Sequence, residues 1–308
     1  MKRFFKILLI LSLFSLLLAA CIAPAPAPST PPIELTDGLG RAVTLDAPAQ
    51  KIVSLSPSIT ETLYAIGAGS QVIGRDEFSD YPAEARQLPS VGGSFGDYNY
   101  EAIASLQPDL VLAAEINTPE QVQSLENLGL KVYYLSNPTD LESMYASLEI
   151  LAALTGRQAE TQTLVSDLRS RVQAVDEKLA AITEEPLVFY ELDASEPAKP
   201  WTAGAGTFLD LLIQQAGGRN VGAALGSAWA QISQEELLVQ NPQIILLGDA
   251  AYGITPESVA ARTGWGVISA VENGRIYPFD DNLVSRPGPR LVDGLEKLAE
   301  IIHPELFK

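Results

Sequence analysis

Two glutamates occupy the same place in two similar stretches. Glu101 lies seven residues before Pro108 in Glu-Ala-Ile-Ala-Ser-Leu-Gln-Pro-Asp-Leu-Val-Leu, and Glu235 lies seven before Pro242 in Glu-Glu-Leu-Leu-Val-Gln-Asn-Pro-Gln-Ile-Ile-Leu. Each stretch reads as a short amphipathic helix, a Pro-led turn and an apolar strand. A carboxylate in a first helical turn gains about 0.3–1 kcal/mol from the helix dipole, which by itself accounts for both residues. Ser233 and Glu236 have the spacing of a capping box, so Glu236 is spoken for locally and Glu235 is left pointing outward. Exposed carboxylates at equivalent points also suit docking onto a two-fold symmetric partner that presents arginines. As a glycosidase pair they fail, because they lie in separate halves with no substrate motif.

Other chemistry is thin. The chain has one His and one Cys, which excludes zinc sites built from several such ligands and any internal disulfide. His303 sits beside Pro304 with no visible partner, and no Ser-His or Cys-His constellation is present. A metal ion handled by this chain must arrive already chelated. Aromatics supply the binding candidates: Phe78, Phe95, Tyr98, Trp201 and Trp229 lie in Gly/Pro/Ser-rich segments and not on apolar helix faces. Any one of them reads equally as a loop anchor; five together point to a cleft that stacks a flat macrocycle. Arg286 and Arg290, in Ser-Arg-Pro-Gly-Pro-Arg-Leu, are placed for a cleft mouth or for pairing with surface acids. Gly204-Ala-Gly206 reads as a cleft loop, since Leu209 stands where a dinucleotide fingerprint needs its third glycine.

These residues need a scaffold. Short apolar runs at 51–55, 72–74, 109–113, 131–135, 187–192, 244–247 and 274–279 read as strands that alternate with helices. A hairpin precedes them over 34–45, around Asp37-Gly38. That alternation predicts an α/β fold, with two lobes that each have a mostly parallel sheet flanked by helices. Ile66–Gly74 and Gln215–Ala223 also match loosely, so the halves read as a repeat with a ligand cleft between them. Between the halves, Asp140–Thr183 is helical, broken only at Thr155-Gly156, with a second helix expected over 157–182 and roughly 40 Å long. The expected divisions are a leader at 1–20, a tether at 21–33, an N-terminal lobe at 34–139, connecting helices at 140–185 and a C-terminal lobe at 186–308.

The chain has 308 residues, 47% of them hydrophobic, and a net charge of −18, which argues against nucleic acid. Lys2, Arg3 and Lys6 precede an apolar run, Ile7–Ala20, that has the form of a secretory signal. The Pro/Ala-rich segment Ile22–Pro32 reads as an extended tether.

Several motifs resemble a known family. Lys51-Ile-Val-Ser-Leu-Ser-Pro-Ser-Ile-Thr-Glu61, Phe78-Ser-Asp-Tyr-Pro82, Leu88-Pro-Ser-Val-Gly-Gly93, Gln107-Pro-Asp-Leu-Val-Leu112, Gly217-Gly-Arg-Asn220 and Trp229-Ala-Gln-Ile-Ser233 resemble the helical-backbone substrate-binding proteins of ABC importers. That family serves corrinoids, ferric siderophores and haem, and the likeness runs from Glu34 to Pro304. Within it, the motifs match cobalamin-binding proteins best. The resemblance implies capture of a metal chelate by an extracytoplasmic monomer, with no catalysis and no prosthetic group. It implies delivery to an ABC permease dimer and its ATPase. Permease arginines would meet Glu101 and Glu235; Glu61 is a rival without a counterpart in the second half. Phe78, Trp201 and Trp229 match aromatic positions that pack on cobalamin, and Arg286 is favoured over Arg290 as a ligand contact. Two aromatic positions are not kept, at Ala114 or Glu115 and near Leu283, which leaves a ferric siderophore or haem beside cobalamin. Leu18-Ala-Ala-Cys21 resembles a lipobox, implying cleavage before Cys21 and lipid anchorage through it. The connector is a rigid spine in that family. Of a different class are a surface hydrolase or a sensor subunit on the same fold.

Overall fold

The computed structural model describes residues 31–93 and 96–308, so the leader, Cys21 and Phe95 lie outside the described residues. Ile33–Lys308 forms one unit. It opens with an antiparallel hairpin, β1 (Ile33–Thr36) on β2 (Ala42–Leu45). Asp37 builds the turn: its carboxylate accepts the N–H groups of Leu39 and Arg41 at 3.0 and 2.9 Å and pairs with the Arg41 guanidinium.

The N-terminal lobe is a parallel sheet in the order β4–β3–β5–β6, made of Val72–Arg75, Ile52–Ser54, Leu110–Ala114 and Val132–Leu135. Its central strands are fully buried and apolar except for Ser54, as suits strands covered on both faces. Helices α1 (Pro57–Ala65), α2 (Tyr100–Ser105) and α3 (Pro119–Asn127) connect them. The spine follows as α4 (Leu141–Thr155) and α5 (Gln158–Leu179). Asp140 and Ser143 cap α4 reciprocally, and Gly156 ends it at φ 75°, a conformation that favours glycine. At 22 residues, α5 is about 33 Å long, shorter than expected because its last turn unwinds before Ile182.

The C-terminal lobe repeats the plan. Its parallel sheet runs β12–β11–β7–β9, made of Ile276–Pro278, Ile244–Leu247, Leu187–Glu191 and Arg219–Asn220. Counted from the first strand of each sheet, both orders are 2-1-3-4. Its helices are α6 (Phe208–Gln215), α7 (Gln234–Gln240), α8 (Pro256–Ala260), α9 (Ser269–Glu272), α10 (Asn282–Ser285) and α11 (Leu291–Ile302). The repeat extends to the backbone: Gln107 and Asn241, each just before its proline, both take φ 51°.

One apolar core runs from Ile52, Leu63 and Leu110 through Leu148, Leu151, Val165 and Leu168 to Leu212, Leu246 and Leu295, so the spine welds the rear of the lobes together. Arg171 of α5 adds bonds to Asp293 and Glu296 of α11. One feature has no counterpart in the sequence reading. Trp201–Ala203 (β8) and Trp229–Gln231 (β10) form a separate two-stranded antiparallel ribbon, where loops are expected.

Candidate ligand cleft

Charge ties the lobes together at the front. Glu61, in the second turn of α1, is only 3% exposed and receives both arginines of the Arg-Pro-Gly-Pro-Arg segment. Arg290 meets it with two bonds, at 2.7 and 2.6 Å, and Arg286 with one at 2.7 Å. Arg286 also binds Asp80 at 2.8 Å and the Phe78 carbonyl at 3.4 Å, and Arg290 stacks on the Tyr81 ring at 4.1 Å. Burial works against the Arg286 charge, but the bonds to Glu61 and Asp80 outweigh it and raise its pKa above the ordinary value. The sequence-based placement of Arg286 as a free ligand contact therefore meets a different geometry: its guanidinium is committed to an inter-lobe clamp. Glu61, the rival docking residue, is buried in the same clamp.

The clamp sets the segment after β12 on the loop after β4, joining the lobes at the carboxyl edges of their sheets. Ligands of open α/β sheets bind at that edge, where strand order reverses. The reversals fall between β3 and β5 and between β7 and β11. In the N-terminal lobe the spot is filled. The Tyr98 hydroxyl donates to the Leu55 carbonyl at 3.0 Å, and Asn117 donates to the Tyr98 oxygen at 2.8 Å. Burial pushes the Tyr98 hydroxyl up to about 12, with the Asp76 charge adding to it. In the C-terminal lobe the spot is an open cavity of about 660 Å³.

Trp201, whose backbone pairs with Asp193 of the cavity wall, and Trp229 on the next strand are both partly open to solvent, at 39% and 52% exposure. The register pairs Trp229 with Ala203 and Gln231 with Trp201, so both rings project from the same face of the ribbon as diagonal neighbours. Phe78 is 56% exposed on the other lobe. The expected Gly204-Ala-Gly206 loop leaves the end of β8 and leads to Thr207, which caps α6.

Glu101 and Glu235 are exposed in the first turns of α2 and α7, each preceding the third strand of its sheet. Asn99 and Ser233 supply the caps, accepting from Ala102 N–H at 2.9 Å and Glu236 N–H at 3.1 Å. The Glu236 side chain does not close the expected box; it accepts from Gln240 at 2.8 Å. His303, read as lacking a partner, is buried with Nε2 at 3.0 Å from the Gly217 carbonyl. Sequence reading missed Tyr81, Tyr252 and the aspartates lining the C-terminal crevice. The available signal was an Asp just past the end of three strands.

Comparison with known proteins agrees with this architecture. The periplasmic binding protein family model matches residues 52–283. An uncharacterized ABC transporter substrate-binding lipoprotein of Bacillus subtilis (strain 168), YvrC, is 33% identical over the full length of both chains. The periplasmic vitamin B12 binding protein BtuF of Vibrio cholerae superposes with a TM-score of 0.71 at 29% identity, covering 85% of this chain and 99% of its own. The periplasmic heme-binding protein BhuT, solved with two hemes, gives 0.76 at 25% identity, covering 84% and 100%. All three are binding proteins and not enzymes. With two lobes of matching topology, a helical spine and a crevice at a sheet's carboxyl edge, this chain belongs to the periplasmic binding protein family.

Proposed function

We propose that this protein is the extracytoplasmic binding subunit of an ABC importer, that it captures a corrinoid between its lobes, and that it delivers the corrinoid to a permease dimer coupled to its ATPase. The observation that carries the reading is the pair of exposed tryptophans on one face of the β8–β10 ribbon, a ribbon bonded through Trp201 to Asp193 of the open crevice, with Phe78 exposed on the other lobe. Exposed indoles stacked on a flat macrocycle bury large apolar area without requiring hydrogen bonds. Haem is the second reading, supported by the likeness to BhuT. Lipid on Cys21 and the Pro/Ala-rich tether would hold the protein at the membrane surface; among the described residues, no helix is long and apolar enough to cross it. Glu101 and Glu235 are the docking carboxylates in this account, being exposed, without ion-pair partners among the described residues, and at matching points of a repeated plan.

Titration of the purified protein with cobalamin, cobinamide, haem and ferric siderophores, read by tryptophan quenching, tests capture. Saturable one-to-one quenching by a corrinoid is expected; no response to any corrinoid removes the leading ligand. Glu101→Ala with Glu235→Ala should abolish uptake while leaving ligand affinity unchanged. Lost affinity would make them cleft residues.

A further inference from the structure

The crevice of the C-terminal lobe is lined with acid. Two residues past the end of each of three neighbouring strands stands an aspartate: Asp193 after β7, Asp249 after β11 and Asp280 after β12, with Asp281 following. The corresponding places past β3, β5 and β6 of the N-terminal lobe hold Ser56, Ile116 and Asn137. The four aspartates line the 660 Å³ cavity, and among the described residues its walls contain no lysine, arginine or histidine. Arg262 is spent on buried Glu191, which it grips at 2.5 and 2.7 Å.

Local bonds account for three of the four acids. Asp193 accepts the Ser195 N–H at 2.6 Å, Asp280 accepts from Asn282 at 3.1 and 2.9 Å, and Asp281 accepts the Tyr190 hydroxyl at 2.7 Å. Asp249 is different. It is 4% exposed, and its Oδ2 accepts the Ala194 N–H at 3.2 Å. Its Oδ1 has no hydrogen-bond partner among the described residues. Burial, and after it the charge of Glu191, push its carboxyl up to about 6. A buried acceptor in this state lacks a donor, and Asp249 lies in the cavity wall, where a donor can reach it. The row is not a coordination shell, since among the described residues no three acidic, His or Cys side chains are placed to hold a metal ion.

The cavity wall is bonded to the ribbon that carries the tryptophans. Leu192 N–H donates to the Trp201 carbonyl at 2.9 Å and Trp201 N–H to the Asp193 carbonyl at 2.7 Å, so Asp193 and Trp201 are cross-strand neighbours.

We propose that this acidic crevice is the selectivity wall of the cleft: it takes the edge of a chelate that carries amide N–H donors or positive charge, and it rejects chelates rimmed with carboxylates. The inference rests on chelate capture as proposed above. Amide arms on a corrin ring offer donors to Asp249 Oδ1 and to the row around it. Haem propionates bring like charge to a wall with no cation to receive it.

Cobinamide and cobyrinic acid share one ring and differ in carrying amides or carboxylates on its rim. Tryptophan-quenching titrations of the full chain should show cobinamide bound roughly tenfold or more tightly than cobyrinic acid. Asp249→Asn combined with Asp280→Asn should narrow that ratio to about threefold, mainly by strengthening cobyrinic acid. Asp280→Asn alone, at an exposed position, should narrow it part of the way and keeps the test open if the double variant does not fold. Equal affinity for the two corrinoids, an unchanged ratio in both variants, or haem bound more tightly than cobinamide overturns the inference while leaving chelate capture standing. If no chelate binds, the proposed function falls with it.

Discussion

The two lobes share a strand order, a helix placement and the unusual backbone turn at Gln107 and Asn241, yet they furnish their crevices in opposite ways. In the first lobe, Tyr98 and Asn117 close over the Leu55 carbonyl. In the second, the register puts buried Glu191 where the first has Leu55, and three strand ends are followed by aspartates. Topology decides where a crevice lies. The few side chains just past the strand ends decide whether it is a plug or a binding wall. The two halves also join differently: apolar packing through the spine welds the rear, and ionic contacts from Glu61 hold the front.

The largest effect should come from emptying the binding wall. Trp201→Ala with Trp229→Ala should weaken corrinoid binding by about 3 kcal/mol, roughly a hundredfold in Kd, with little change in Tm because both rings are already exposed. A large fall in Tm with unchanged affinity would make the ribbon structural and dissolve the contrast between lobes. Breaking the front should act on stability. Glu61→Gln takes the carboxylate from part-buried Arg290 and leaves Arg286 only Asp80, and should cost about 3 kcal/mol, lowering Tm by roughly 5–10 °C. An unchanged melt would mean that the rear weld alone holds the lobes.

Much of this plan was legible. Buried parallel strands announce themselves as apolar runs bounded by Pro and Gly, so Ile244–Leu247 reads directly, and the spacing of Glu101 and Glu235 before their prolines exposes the repeat. The ribbon was not legible, because Trp-Thr-Ala and Trp-Ala-Gln are three residues each and gain strand character only from pairing with one another. The clamp was hidden by distance, since Glu61 and Arg286 lie 225 residues apart and each looks locally like a surface charge. The aspartates read as turn formers, which they also are.

Smaller effects sharpen the plug. Tyr98→Phe removes the hydroxyl from Leu55 and Asn117 and should cost about 1 kcal/mol of stability while leaving corrinoid affinity within about twofold. A large affinity loss in a chemical-denaturation and titration pair would reassign Tyr98 to the ligand wall. Asp249→Asn gives a change of similar size, visible only through pH. The folded protein keeps the Asp249 proton up to about pH 6, whereas the unfolded chain releases it near the usual carboxylate range. Stability from this group is therefore full at low pH and is lost as pH rises through about 6. The asparagine variant escapes that loss. Its Tm should match the wild type near about pH 4 and exceed it above about pH 7, by an amount on the order of 1 kcal/mol. A difference independent of pH would remove the donor-seeking role assigned to Asp249.

Hydrogen exchange of the full chain with and without saturating cobinamide tests the central contrast most directly. The account predicts new protection over 192–195, 201–203, 229–231 and 248–254, with 115–117 and the α5 amides unchanged. Protection centred on 115–117, with none over 192–195 and 248–254, would contradict it.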